Sequence, residues 1–280
     1  MNAIADGPRA PRRAPTFTDI VRLRWSSLGI WFELIRNLAV RDIEIRYKHS
    51  LLGLYWALIN PLLTAAIYEM VFGVILKTKT GTIPYPVFLL TGLTIWNLFG
   101  NGVTSAVGSV TGSASLLAKV YFPRIVLPTA AVLARLIDFL FSLVILAVFI
   151  LVYRVPIHWT LLWAVVILGA EFMFALGIGY LCAALNVLYR DVSQLVGLVL
   201  MMWMWLSPVM YAASSLPTVV QSILLVNPLG ALIQVQRDLI FQGASPNIPY
   251  VWPALAWSVF VFVAGVIVFK RIEPMFAEVM

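Results

Sequence analysis

The sequence has few charged residues and only one cysteine. Charged side chains make up 11% of the 280 residues, whereas 62% of the residues are hydrophobic. Because a soluble domain carries about 25% charged residues, this composition excludes a soluble protein and a disordered binder. With Cys182 alone, no disulfide can form within the chain, which excludes a secreted scaffold held by disulfides. The chain is therefore predicted to lie in a lipid bilayer.

Several motifs of nucleotide and metal sites are also missing. The sequence has no G-x-x-x-x-G-K-[ST] loop, no G-x-G-x-x-G fingerprint and no cluster of Cys and His. The two histidines, His49 and His158, are far apart in the sequence. We therefore expect this chain to bind no metal or cofactor and to hydrolyse no ATP, so active transport would need an energised partner.

Six hydrophobic segments are long enough to cross a membrane. A helix needs roughly 20 apolar residues to span about 30 Å of hydrocarbon. The predicted fold is an all-α integral membrane protein, with a transmembrane domain over 50–273 and a short C-terminal segment over 274–280. The predicted spans are approximately 51–76, 85–110, 125–153, 161–188, 195–213 and 250–269.

The basic residues indicate how the spans are oriented. With the N-terminus inside, 14 Lys and Arg lie in inside segments and 4 in outside segments, so both termini are predicted to be cytoplasmic. This topology explains the net charge of +7 better than nucleic-acid binding does, because 9 of the 19 basic residues fall within the first 48. Residues 1–27 repeat Pro and Arg without an apolar core, and we expect them to be disordered and not to form a cleavable signal peptide.

An amphipathic helix is predicted over 28–49, before the first span. Polar residues recur there at steps of three or four, and apolar residues occupy the other face. Such a helix lies along the cytoplasmic interface, either as a membrane anchor or as a docking surface for a soluble partner. The polar positions are Glu33, Asn37, Arg41, Glu44 and Lys48.

The segment over 214–249 is apolar but cannot cross the membrane. Its two hydrophobic runs, 219–226 and 229–241, are each too short, and Asn227 and Pro228 separate them. They fit a short re-entrant helical hairpin on the outer side before the last span, since each arm would satisfy its own backbone hydrogen bonds. Two helices lying flat on the outer leaflet are the alternative.

Four charged residues fall within the predicted spans, where an ionised group costs a few kcal/mol unless it is paired or hydrated. They are Glu69, Arg135, Asp138 and Glu171. Arg135 and Asp138 are three residues apart on one helix face, so a structural ion pair is the favoured interpretation. Glu69 lies nearer the outer end, where it could meet a basic residue of the rim or line a pore.

Mixed stripes of aromatic and polar residues run along the first and fifth spans at steps of four. Flat rings suit the C–H faces of sugars, and hydroxyl and amide groups suit their hydroxyls, so the stripes predict a substrate channel. Aromatic belts at the lipid interface are the alternative, and they account less well for residues in mid-span. The second span, with Asn97 and Asn101, indicates helix packing or a wet lining. The predicted channel residues are Trp56, Asn60, Thr64, Tyr68, Trp203, Ser207 and Tyr211.

Three stretches resemble the permeases of type-2 ABC exporters for polysaccharides. They are RDIEIRYKHSLLGLYWALINPLL at 41–63, SPVMYAASSLP at 207–217 and NPLGALIQVQRDLI at 227–240. In that family they correspond to the start of the first span, the end of the fifth span and the outer hairpin. The resemblance extends from about residue 28 to residue 273.

The resemblance implies a homodimer that forms a channel in the bacterial inner membrane, powered by two copies of a cytoplasmic ATPase subunit that binds ATP and Mg. The implied substrate is a polyprenyl-linked glycan, as in exporters of O-antigen, capsule, teichoic acid and galactan. Arg outnumbers Lys by 14 to 5, which hints at a GC-rich genome and at galactan, whereas a proteobacterial source would favour O-antigen. The implied ATPase-coupling residues are Arg41, Arg46, Lys48, Lys119, Tyr121, Phe122, Arg124, Arg190 and Asp191.

Three other functions compete with this interpretation. A type-2 ABC permease for drugs or lipids would share the fold without needing a track for sugars. A membrane enzyme of glycan assembly would need a carboxylate cluster or metal site, and Asp42, Glu44 and Asp191 are dispersed. A passive channel is disfavoured because nothing resembles a selectivity filter.

Overall fold

The structure is a computed structural model. It describes residues 17–48, 53–78, 80, 81, 83–117, 119, 122–217, 219, 221, 227–243 and 251–276. All regular structure in these ranges is helical, and no strand occurs among them. The prediction of an all-α fold is therefore confirmed.

The described residues include ten α-helices with defined bounds. π-helical segments extend two of them, over Glu69–Ile75 and Asp238–Gln242. In chain order the α-helices are α1 (Phe17–Tyr47), α2 (Trp56–Tyr68), α3 (Tyr85–Ser109), α4 (Ala114–Leu117), α5 (Val126–Leu133), α6 (Leu136–Val152), α7 (Leu161–Leu188), α8 (Val192–Trp205), α9 (Pro228–Arg237) and α10 (Val251–Ile272).

Five helical segments are long and apolar enough to cross a membrane. They are Trp56–Ile75, Tyr85–Ser109, Val126–Val152, Leu161–Leu188 and Val251–Met275. The remaining predicted span, 195–213, overlaps only α8, whose 14 residues end at Trp205, so the prediction of helix as far as residue 213 is wrong. Pro208 explains the early end, because a proline disfavours helical backbone at the residue before it.

The N-terminal helix is longer than the sequence indicated. Helix α1 begins at Phe17, within the segment 1–27 that was predicted to be disordered, whereas residues 1–16 lie outside the described residues. No glycine or proline occurs between Pro15 and Gly29, so nothing in that stretch breaks a helix that continues into the predicted interface helix.

Helices α3 and α7 form the centre of the bundle, and α10 packs closely against α7. Two glycines permit that approach. A Cβ at Gly177 would lie 2.6 Å from backbone atoms of Val261 and Phe262, and one at Gly265 would lie 3.0 Å from the Gly177 Cα. Small residues at a helix crossing let backbones approach, which is a common way for membrane helices to pack.

The bundle has two distinct ends. Helix α1 packs against α5, and Arg124, just before α5, bonds to Glu273, just after α10. At the opposite end, the Tyr85 hydroxyl donates to the Met210 carbonyl at 2.9 Å. The Thr160 hydroxyl there donates to the carbonyl of Leu239, which follows α9. We call these the α1 end and the α9 end.

Candidate functional site

A polar cavity of about 350 Å³ lies between α1, α2, α3 and the start of α6. Three residues of the first predicted stripe, Trp56, Asn60 and Thr64, line it, and Asn97 and Asn101 of α3 face them. Tyr68 is not among its lining residues and packs edge-on against Phe72, with 6.2 Å between ring centroids. The fold thus brings most of the first stripe together with the polar residues of the second span.

The amides in this cavity have no partners within the described chain. The side chains of Asn60, Asn97 and Asn101 form no hydrogen bond with another described residue. An amide offers both donors and acceptors, and an amide that loses its water without gaining another partner costs free energy. The cavity therefore presents groups that are satisfied only by water or by a polar ligand.

Asp138, at the wall of the polar cavity, joins α1 to the third span. Its carboxylate accepts from Arg46 Nη1 at 2.7 Å, from Arg135 Nη1 at 3.3 Å and from the Tyr47 hydroxyl. Arg135 also donates from Nε to Ser105 Oγ at 2.6 Å. The predicted Arg135 and Asp138 ion pair is confirmed.

The contacts of Arg46 and Tyr47 were not expected from the sequence. The resemblance assigned Arg46 to an ATPase contact, but its guanidinium is directed at Asp138 in the membrane domain. Burial raises the pKa of the Tyr47 hydroxyl, and the hydrogen bond to Asp138 raises it further. The hydroxyl therefore stays protonated at neutral pH and donates to the carboxylate.

The second stripe does not form an open surface. Helix α8 ends at Trp205, so helical spacing no longer relates Tyr211 to Trp203, whereas the Ser207 hydroxyl still donates to the Trp203 carbonyl at 2.9 Å. Ser207 is 0% exposed, and the prediction that it lines the channel is wrong because a residue buried within one chain cannot face a path. The Tyr211 hydroxyl donates to the Trp205 carbonyl at 3.0 Å.

Trp203 and Ser207 are bound instead to Asn227, at the start of α9. Trp203 Nε1 donates to Asn227 Oδ1 at 2.8 Å, and Asn227 Nδ2 donates to Ser207 Oγ at 2.9 Å. The Trp203 ring also packs edge-on against Phe99 and Phe174, at 5.3 and 6.0 Å between centroids. These contacts fasten the end of α8 to α9.

Arg237 fastens the other end of α9, which sequence analysis did not detect. This residue is 1% exposed, and Nη2 donates to the carbonyls of Phe88 and Val209 at 2.9 and 2.8 Å. Nη1 donates to the Pro208 carbonyl at 2.5 Å. Gly92 leaves room for this arrangement, since a Cβ there would lie 2.8 Å from the Val209 carbonyl oxygen. The only signal in the sequence was an arginine within an apolar run.

Two carboxyl groups inside the spans have no partner in the described chain. Glu171 is 0% exposed, and neither of its carboxyl oxygens forms a hydrogen bond with a described residue. Oε2 of Glu69 is likewise buried without a described partner, so the expected contact with a basic residue of the rim is not seen there. Gly73 makes room for Glu69, because a Cβ at Gly73 would lie 2.5 Å from Oε1.

The predicted ATPase-coupling residues gather mostly at the α1 end, but they are not equally accessible. Phe122 is 9% exposed and packs in the core, so it supports the fold and is not an open anchor for a partner. Arg41 pairs with Asp42 at 2.9 Å, and Tyr121 lies outside the described residues. The exposed members are Lys48, Lys119, Arg190 and Asp191.

Apolar spans around a polar cavity define a multi-span helical membrane protein with a site for a polar ligand. Residues 33–241 match the family model described as ABC-2 type transporter, which is more than half of the chain. The chain therefore belongs to the ABC-2 type transporter family, and the family resemblance of the sequence motifs is confirmed.

Named relatives share most of the chain's length. An O-antigen export system permease protein RfbA of Klebsiella pneumoniae is 30% identical over 91% of this chain and 97% of its own. RfbA of Myxococcus xanthus is 29% identical over 88% of this chain and 94% of its own. The polysialic acid transport protein KpsM of Escherichia coli is 25% identical over 75% of this chain and 81% of its own.

Proposed function

We propose that this chain is the permease subunit of an ATP-driven exporter that moves a polyprenyl-linked polysaccharide out of the cytoplasm across the bacterial inner membrane. O-antigen and cell-wall galactan are the substrate types we favour. The observation that carries the proposal is the polar cavity, in which three unpartnered amides lie beside Trp56. The names of the relatives, which export O-antigen and capsule, support the same substrate class.

The chemistry of the cavity favours sugars over the alternative substrates, drugs and lipids. Adjacent sugar hydroxyls donate and accept at once, as the amides of Asn60, Asn97 and Asn101 do, and the ring of Trp56 offers a flat face for C–H groups. An apolar drug or a lipid tail would leave those amides unpaired, at a cost of about 1–3 kcal/mol each.

The proposed assembly contains two copies of this chain, each with six crossings. Only 6% of the residues in the apolar stretch of Trp56–Ile75 are buried, and Leu200 is the one buried residue of α8. Both helices therefore have apolar faces that a second copy could cover. In this proposal α8 belongs to the sixth crossing, because it follows α7 at the α1 end and bonds to Asn227 at the α9 end. Asn227 and α9 belong to the proposed outer hairpin, whose preceding arm, 219–226, lies mostly outside the described residues.

ATP and Mg belong, in this proposal, to two copies of a separate cytoplasmic nucleotide-binding subunit that docks at the α1 end. Placing both termini in the cytoplasm puts α1 and the exposed Lys48, Lys119 and Arg190 on that side. In this proposal the chain itself carries out transport and no ATP hydrolysis. Besides the nucleotide-binding subunit, its proposed partners are the lipid-linked polysaccharide and the surrounding lipids.

ATP hydrolysis by the assembled complex tests the substrate class. The permease and its nucleotide-binding subunit are reconstituted together in nanodiscs, and the ATPase rate is measured with added polyprenyl-linked glycan or with rhodamine 6G. We expect the glycan to stimulate hydrolysis and the drug to have no effect. Stimulation by the drug alone would favour the drug permease, and hydrolysis by the permease without its partner would contradict a transport role alone.

A further inference from the structure

The chain folds back after its last helix onto the turn that precedes α5. The 3-10 turn Glu273–Met275 places Glu273 beside Arg124, 149 residues earlier in the sequence. The Arg124 backbone N–H donates to Glu273 Oε1 at 2.9 Å, and Arg124 Nη1 donates to the Glu273 carbonyl at 2.8 Å. One residue thus holds both the main chain and the side chain of Arg124.

Phe276 completes this contact. Its ring is 0% exposed and packs edge-on against Phe269, with 5.5 Å between the centroids. The guanidinium carbon of Arg124 lies 5.6 Å from the centroid of the same ring, within the range of a cation–π contact. We call Glu273 and Phe276 the C-terminal clamp.

The start of α5 explains why a clamp is useful there. Backbone N–H groups at a helix start lack acceptors within the helix, and a carboxylate nearby is favoured by the helix dipole. The N-cap residue of α5, Ile125, has no side-chain oxygen to serve as a cap. Glu273 supplies a carboxylate to the adjoining turn from the far end of the chain, and so fixes the direction in which that turn enters α5.

We propose that the C-terminal clamp holds the turn at residues 122–124 in place and thereby positions the exposed Lys119, just before that turn, for docking of the nucleotide-binding subunit. Glu273 and Phe276 are then positioning residues for the coupling of ATP hydrolysis to export, which rests on the proposed function above. The guanidinium of Arg124 is bound within the chain, so it holds the turn, while the exposed Lys119 is available to the partner. A turn already held in place loses less entropy when a partner binds it.

Substitutions at Glu273 test the clamp in the intact complex. Each tagged variant is co-expressed with the nucleotide-binding subunit, and the subunit retained per permease is measured after detergent washing, beside the thermal unfolding of the permease alone. In Glu273→Gln an oxygen at Oε1 still accepts from the Arg124 N–H, whereas Glu273→Ala removes the acceptor. Met275→Ala, at an exposed position of the same turn, is the matched control.

We expect Glu273→Ala to reduce the retained subunit about tenfold, which corresponds to about 1.4 kcal/mol of binding free energy. Glu273→Gln and Met275→Ala should retain at least half of it. The proposal is overturned if Glu273→Ala retains as much as wild type, or if the loss only parallels a lower unfolding temperature of the permease. If the wild-type permease retains no subunit, the proposed function fails and not merely the clamp. Truncation after Ile272 repeats the test, and retention at the wild-type level would likewise overturn the proposal.

Discussion

Arg237 binds both the backbone and the ring of Phe88: Nη2 donates to its carbonyl at 2.9 Å, and the guanidinium carbon lies 3.5 Å from the ring centroid. These two residues are 149 positions apart and join α9 to α3. The same guanidinium also donates to the carbonyls of Pro208 and Val209. Arg237 therefore connects the end of α9 with the start of α3 and with the turn after α8.

Arg237→Lys should therefore destabilise the protein. A lysine ammonium cannot reproduce the planar fork that reaches three carbonyls and covers the ring, so at least one carbonyl is left unpaired. We expect a loss of about 2 kcal/mol, from the usual value of hydrogen bonds to charged groups, seen as a lower unfolding temperature in detergent. Arg154→Lys, at an exposed position, is the control. Equal unfolding temperatures for the two variants would contradict this role.

Trp203 and Asn227 are expected to act as a pair. Trp203→Phe keeps a ring against Phe99 and Phe174 but loses the bond to Asn227, and Asn227→Ala loses the same bond. In a double-mutant cycle of unfolding free energies, we expect a coupling of about 1 kcal/mol. Additive effects would contradict the coupling. Loss of export from Trp203→Phe at unchanged stability would show that the indole N–H serves the translocation path instead.

Close packing of α7 and α10 predicts a sharp difference between two glycines on α7. Gly177→Ala places a methyl group 2.6 Å from the backbone of α10, which cannot move as a flexible side chain can. Gly169→Ala meets no atom within 4 Å and should be neutral or slightly stabilising. We expect an overpacking cost of about 1–3 kcal/mol at Gly177 only, measured by thermal unfolding. Similar unfolding temperatures for both variants would refute the close crossing.

The Tyr47 hydroxyl gives the attachment of α1 a dependence on pH. Its pKa is raised from 10.0, chiefly by burial, so its contribution is present at neutral pH and is lost as the pH rises through the raised value. Hydrogen exchange of α1 amides should increase above pH 10 in the wild type, relative to exchange in α7. Tyr47→Phe should show the faster exchange already at pH 8. A wild-type profile that matches Tyr47→Phe at every pH would rule out this contribution.

The sequence patterns predicted those features of the structure that depend on residues close together in the chain. Long apolar runs predicted six spans, and five of them are helices long and apolar enough to cross a membrane. A spacing of three residues predicted the Arg135 and Asp138 pair. The second stripe failed because it extended helical spacing past Trp205, where Pro208 stops the helix. No local sequence pattern predicts the contact of Arg237 with Phe88, because these residues are far apart in the sequence. The position of Phe122 in the core was likewise not predictable, because it depends on the packing of the whole bundle.

The central claim, that sugars pass the polar cavity, is tested most directly by export from cells that carry Asn97→Leu and Asn101→Leu together. Leucine has the same branched arrangement of side-chain heavy atoms as asparagine but offers no hydrogen bond, so we predict surface polysaccharide to fall at least tenfold while the complex with the ATPase subunit still assembles. Thr104→Val is the matched control on α3, because its hydroxyl already donates to the Gly100 carbonyl at 2.8 Å and the residue does not line the cavity. Surface polysaccharide at the wild-type level in the double variant would contradict the account.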